Sequence, residues 1–361
     1  SLHLIEPFSH FFKRSNLILE ELDKKDGPWA RREILTRFLL LNAVLDQGPD
    51  IEGLRQMLIQ VVNELYRKEV RIFHRPLDFF KELGISIDKI NNVHEMVKKV
   101  RAPIWAKENQ SNPDRYNLFM DNSRQTLNYA VFRWGVPLCV PLILEKDGKT
   151  LIDYLEESNS AELMSQNIKD NERYGLGKAI GDKAGHLFAK WYVYSFGLVK
   201  RQDKGWKNLS YEVPFDSNAG RVLFRTGFLP SWASIKDYEE WEVIQKGKGK
   251  GGLNYIRVTN IRGKKSDIAL RDKKLFEKYI SICVEYLCTK KRGPKTIEIQ
   301  QIPNVLLVDT GYGIGELDDG LVYIGTNFCF NHENPKCKEC PINNLCEGYS
   351  KNTKLISDYR T

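Results

Sequence analysis

Residues 171–197 read NERYGLGKAIGDKAGHLFAKWYVYSFG, and the fold turns on how this stretch is parsed. Its second half carries apolar residues at Leu187, Phe188, Trp191 and Tyr194, the spacing of one helical face, so a helix is expected over Lys183–Phe196. The segment Ala179-Ile180-Gly181-Asp182 directly before it reads as a tight turn, with another helical pattern upstream. Backbone amides exposed at such a turn and helix start bind a phosphate without reading base sequence; an ordinary helix-helix connection has the same appearance. Lys183 falls on the first turn, near the positive end of the helix dipole, which favours loss of its proton.

Downstream, residues 213–228 read VPFDSNAGRVLFRTGF. Pro214 and Phe215 bring an extended segment to Asp216, Ser217 and Asn218 offer N-cap oxygens to a helix through Val222 and Phe224, and Gly227 closes it. Asp216 therefore stands at or just before a helix N-terminus, where a carboxylate is stabilised in its ionised form. A structural cap is the plainest meaning of such an aspartate. Near the C-terminus, residues 329–346 read CFNHENPKCKECPINNLC, with seven, two and five residues between Cys329, Cys337, Cys340 and Cys346. A chain of 361 residues without a signal peptide is not expected to carry a disulfide framework, so these thiols read as ligands. Zinc sites usually pair two short knuckles across a longer gap, whereas one short pair flanked by single cysteines suits a compact loop around a [4Fe-4S] cluster; zinc stands as the alternative. Pro335 and Pro341 stiffen the loop around its ligands.

The remainder has a mainly α pattern. Helices are expected over residues 8–22, Trp29–Leu45, 51–65, Pro76–Leu83, Ile87–Val100, Thr150–Glu157, Ala219–Thr226 and Lys273–Leu287, with a loop over 103–114. Strand signal is confined to Leu253–Ile261 and Thr296–Asp309, and no repeat of fixed period is visible. The formal charge of +8 is concentrated in Gln245–Lys250, Arg262–Lys265 and Lys290–Lys295. Such runs are more often solvated surface than binding sites, but they agree with a nucleic-acid partner. No stretch is apolar enough to span a bilayer and no secretory leader opens the chain, so an intracellular protein, cytoplasmic in a prokaryote or nuclear, is expected. Cys139, Cys283 and Cys288 read as buried or inert thiols.

In chain order, the hairpin ending in a lysine, the aspartate before a helix and the four-cysteine loop resemble the helix-hairpin-helix DNA glycosylase superfamily, in a divergent form of its endonuclease III-like, cluster-bearing branch. The family's Gly-x-Gly-x-Lys hairpin matches Ala179-Ile180-Gly181-Asp182-Lys183, with alanine in place of the first glycine, and its catalytic aspartate matches Asp216. The resemblance implies a helical barrel over 29–230, a basic insertion over 231–269, and a cluster module from 1–28 with 270–361 that carries the [4Fe-4S] loop at 329–346, with a deep cleft between barrel and module. It implies a monomer acting on double-stranded DNA with a damaged or modified base. Such an enzyme extrudes the base before cleaving its glycosidic bond. Asp216 would stabilise positive charge on the sugar, and Lys183 would attack C1′ as a neutral amine, giving a Schiff base and strand cleavage by β-elimination. Ala179, Gly181, Lys248, Lys250 and Lys336 would face the DNA, and Gln47 would fill the gap left by the extruded base.

Other classes remain open on the residues alone. A monofunctional glycosylase would use water in place of Lys183. Cluster-bearing nucleases and helicases complete a Cys-x-x-Cys-x5-Cys triplet with a distant cysteine such as Cys139, but no P-loop or nuclease motif accompanies the cysteines here. A non-catalytic DNA-binding protein would show no activity dependent on Lys183 or Asp216.

Overall fold

A computed structural model describes residues 28–46, 51–101, 131–158, 160–196, 198, 213–214, 217–226, 228, 242–248, 254–259, 265–269, 302–307, 310, 312–329, 335–346 and 349. These residues are mainly helical, with one small sheet. The chain divides into two compact units, Ser1–Tyr211 and Glu212–Thr361. The expected helix over 8–22, the loop over 103–114 and the helix over Lys273–Leu287 lie outside the described residues.

The first unit is built around α1, Pro28–Leu45. From Glu33 to Asp46 every residue of this segment is buried, which carries Glu33, Thr36, Arg37 and Asn42 inside with the leucines. Buried charge has to be paired. Arg37 donates to Glu33 at 2.8 Å, to Glu145 at 2.8 Å and to the Phe73 carbonyl at 3.0 Å. The Glu33 carboxylate in turn accepts the amides of Leu151 and Ile152, both at 3.0 Å. Helix α2, Ile51–Arg67, buries Leu58, Ile59, Val62 and Leu65 and exposes Gln56, Gln60 and Glu64, the pattern of a one-faced helix. The short α3, Leu77–Glu82, inserts Phe79 and Phe80 into the core.

Helix α4 covers Val93–Arg101 rather than the expected Ile87–Val100. Its start is fixed by a reciprocal cap: Asn92 accepts the Glu95 amide at 2.8 Å and Glu95 accepts the Asn91 amide at 2.9 Å, while Ile87 and Ile90 are buried from a turn. A π-helical turn at Val131–Gly135 leads into α5, Val136–Lys146, which sequence reading missed because Pro137 and Pro141 interrupt its pattern. Helix α6, Leu151–Glu156, opens with a capping box between Thr150 and Asp153, and α7, Ala161–Asp170, is capped by Ser160. Helix α8, Asp182–Ser195, packs on α1 and α7. Arg32 ties its C-terminal end to α1 and α6 by pairing with Glu156, bonding the Tyr192 hydroxyl at 2.9 Å and lying 4.8 Å from the Phe196 ring centre.

The second unit contains α9, Ser217–Arg225, packed on α10, Ile314–Asn327. Within the strand expected at Thr296–Asp309, residues Ile302–Leu307 form a 3-10 helix instead. Pro303, buried there, has no amide to give to a ladder. An antiparallel sheet joins β1, Glu242–Lys248, to β2, Asn254–Thr259, and β2 to β3, Lys265–Ala269. Strand β2 fills the expected strand at 253–261. Residues Gln245–Lys248 of the basic run belong to β1, where they pair with Arg257 through Asn254. On the other side Arg257 is registered with Asp267. Among the described residues no helix is long and apolar enough to cross a membrane.

Candidate functional site

The hairpin of the first unit is assembled from local hydrogen bonds. Helix α7 ends at Asn171, whose side-chain oxygen accepts the amides of Arg173 and Tyr174, both at 2.9 Å, and so turns the chain. The Leu176 amide returns to the Ile168 carbonyl at 2.9 Å. A 3-10 turn follows at Gly177–Ala179, and Gly177 holds φ +54°, the left-handed region that suits glycine. A β-carbon at Gly177 would also stand 3.0 Å from His94 Nε2.

This geometry separates the hairpin residues. Ala179 is buried and its amide is already donated to the Leu176 carbonyl at 2.9 Å. Gly181 is exposed, extended, and caps α8, and a β-carbon there would meet nothing within 4 Å. Of the two, Gly181 is the accessible backbone. Lys183 is half-buried on the first turn of α8, whose leading amides lack intrahelical acceptors. Close seating of α8 on α7 is allowed by Gly185, where a β-carbon would approach the Ser165 carbonyl to 3.0 Å. Behind Lys183 the same helix buries His186 and Lys190, two titratable groups that the apolar pattern alone did not single out.

In the second unit the cysteine loop grows directly from α10. The Cys329 amide bonds the Ile324 carbonyl at 2.9 Å, and the Lys336 amide closes the loop onto the Phe328 carbonyl at 2.9 Å. Two 3-10 turns, Cys337–Glu339 and Asn343–Leu345, place the remaining thiols, and Asn343 braces them by donating to the Lys338 carbonyl at 3.1 Å. All four cysteines line a single cavity of about 30 Å³, together with Val222 and Arg225 of α9 and Ile324 and Phe328 of α10.

Arg225, which sequence reading missed, is buried, and its guanidinium donates to Cys329 Sγ at 3.1 Å. The Cys346 thiol donates to the Arg225 carbonyl at 3.4 Å. Burial pushes the Cys337 thiol up, and Cys329 and Cys346 add to this while Arg225 opposes it. Cys340 is raised by burial as well, against a lowering hydrogen bond from the Ile342 backbone. Among the described residues no three His, Cys, Asp or Glu side chains converge on a point where one metal ion would sit. Four sulfurs form a soft donor set, the chemistry of zinc or iron-sulfur sites.

Asp216 lies outside the described residues, immediately before α9 in sequence, as do Gln47 and Lys250. Lys248 is the last residue of β1, registered with Asn254. Lys336 is exposed on the cysteine loop. Trp191 is a core residue, and burial of Cys139 pushes its thiol up to about 12, as expected for an inert cysteine. Comparison of the chain with family models, with curated proteins and with solved structures finds no match.

Proposed function

We propose that this protein is a DNA base-excision glycosylase with abasic-site lyase activity. The observation that carries the reading is the association within the second unit of two separate sequence signals. The helix that begins at Ser217, directly after Asp216, ends at Arg225 against a cavity lined by all four cysteines. Helix α8, with the accessible Gly181 at its cap and Lys183 on its first turn, supports it from the first unit.

In this reading the thiolates of Cys329, Cys337, Cys340 and Cys346 hold a [4Fe-4S] cluster, with zinc as the alternative. The group supplies structural cross-linking of the loop, and redox chemistry is not required. Four cysteines lining one cavity, with one short pair flanked by single cysteines in the sequence, support this reading. Arg225 balances thiolate charge at Cys329.

Gly181 and the first amides of α8 receive a phosphate of the DNA backbone, and Lys336 adds a contact from the cysteine loop. Asp216 stabilises the cationic sugar as the glycosidic bond breaks, and Lys183 attacks C1′ to form the Schiff base from which the strand is cleaved. The base excised belongs to the oxidised, deaminated or otherwise modified bases.

Borohydride trapping on duplex DNA carrying one abasic site tests the reading without knowledge of the base. Covalent complex with the wild type and none with Lys183→Ala is expected. Equal trapping by both would assign the Schiff base to another amine, and none by either would remove the lyase and leave a monofunctional glycosylase or a binding protein. Excision of modified bases by the wild type and by Asp216→Asn then separates those two.

A further inference from the structure

We propose that Arg225 sets the electron affinity of the cysteine site, favouring the reduced form of the group held there; the inference rests on the [4Fe-4S] reading above and concerns a property that base excision does not use. Arg225 is the last residue of α9 and is 3% exposed. An arginine in the last turn of a helix ordinarily complements the helix dipole from solvent, and a guanidinium taken out of water has to meet an anion. Here it donates to Cys329 Sγ at 3.1 Å, and the carbonyl of the same residue accepts from the Cys346 thiol at 3.4 Å. One residue of α9 thus touches the first and the last cysteine of the set. The cavity that the four cysteines share is walled by Val222, Ile324, Phe328 and Ile342. Apolar walls keep the local dielectric low, where a fixed charge acts most strongly.

Net charge, hydrogen bonds to sulfur and solvent exposure set the potential of an iron-sulfur group. Four thiolates outweigh the positive charge of the iron-sulfur core, so the assembly is anionic, and uptake of one electron makes it more so. A buried guanidinium one hydrogen bond away favours the more negative form through its charge. Its N–H donor acts in the same direction through the ligand sulfur, so the two effects add. A hydrogen bond to a charged group is worth a factor of roughly ten or more in an equilibrium. If Arg225 only completed the packing of α9 on α10, the potential would not depend on its charge.

The experiment is a spectroelectrochemical titration of the full chain loaded anaerobically with iron and sulfide, with iron per chain measured on the same samples. The wild type is compared with Arg225→Lys, which keeps the charge but not the planar fork, Arg225→Gln, which keeps a neutral donor, and Arg225→Leu, which keeps neither. The midpoint for uptake of one electron should fall in that order. Arg225→Leu should lie below the wild type by a factor of about ten in the redox equilibrium, which is about 59 mV for one electron. Iron-loaded variants that all share the wild-type midpoint would reduce Arg225 to a packing residue and overturn the proposal. So would an Arg225→Lys midpoint as low as that of Arg225→Leu. Should the substitutions cost the protein its iron, the wild type decides alone: isotopically labelled guanidinium nitrogen should couple to the reduced cluster in pulsed EPR, and absence of coupling overturns the proposal. A wild type that takes up only zinc, or no metal, under the same loading would sink the cluster reading itself and the inference with it. Iron uptake by the wild type tells the two failures apart.

Discussion

The hairpin of the first unit and the cysteine loop of the second are both connections of a few turns, yet they are held by different physics. The hairpin lies on a core: Ile168, Leu176, Ile180, Leu187 and Phe188 are all buried, and the Asn171 turn and the Ser160 cap close its polar groups. Between Pro335 and Cys346 not one residue is fully buried. The sulfurs of Cys329, Cys337, Cys340 and Cys346 line a cavity shared with residues of α9 and α10. Hydrocarbon can therefore fix the hairpin, whereas the loop, if its thiols hold the proposed group, would gain much of its folding free energy from ligation.

If the four cysteines hold the proposed group, breaking one ligand should give the largest effect. Free energy of metal binding becomes folding free energy, on the order of 10 kcal/mol in small metal-nucleated domains. Cys340→Ser should lose iron, soluble yield and DNA affinity together, while limited proteolysis opens residues 329–349 and spares a fragment from the first unit. Unchanged iron content would take Cys340 out of the ligand set.

The reverse case sharpens the contrast. Phe188 is buried in α8 with its ring centre 6.1 Å from that of Tyr192. Its truncation to alanine should cost about 3–5 kcal/mol. A denaturant titration of Phe188→Ala should show that loss with iron per chain unaltered; a parallel loss of iron would mean that the two regions do not fold independently.

Smaller again is the pair of hairpin glycines. Alanine at Gly177 would have to hold φ +54°, a cost of about 1–2 kcal/mol, and would press on His94. Gly181→Ala meets nothing and keeps an extended backbone, so its stability should equal that of the wild type. Weaker DNA binding by this variant would then report a lost approach of backbone to phosphate. Unaltered binding with a steep salt dependence retained would move the phosphate contact elsewhere.

These expectations also show which features the sequence could carry. Helix α8 and the helix after Asp216 were legible because apolar spacing and cap residues lie in adjacent positions. Helix α5 was hidden by Pro137 and Pro141, which it accommodates after a π-helical turn, and α4 was placed too early because Ile87 and Ile90 mimic a helical face from a turn. The four cysteines were visible as a set, while Arg225 was not: an arginine at the end of an amphipathic helix looks solvated until packing of α9 on α10 buries it beside Cys329. Long-range contacts of this kind leave no local periodicity.

The smallest effect concerns the surface of the hairpin, where charge supplements the core. Arg173, whose backbone carbonyl accepts the Val93 amide at 2.9 Å, donates from Nε to Asp147 at 2.7 Å, and the Tyr174 hydroxyl donates to the same carboxylate at 2.7 Å. The Arg173 hydrogen bond, then that of Tyr174, holds the Asp147 carboxyl below its ordinary range. A carboxylate lowered in the folded state stabilises the fold above its unfolded pKa of about 3.9, and that contribution disappears as pH falls through the folded value. Asp147→Asn should therefore be slightly less stable than the wild type at neutral pH and converge with it in acid, read as the difference between their urea midpoints. A difference that stays constant from pH 7 to about pH 3 would show that the carboxylate charge contributes nothing. The hairpin would then stand on its buried side chains and its Asn171 turn, in contrast to a cysteine loop in which no residue from Pro335 to Cys346 is fully buried.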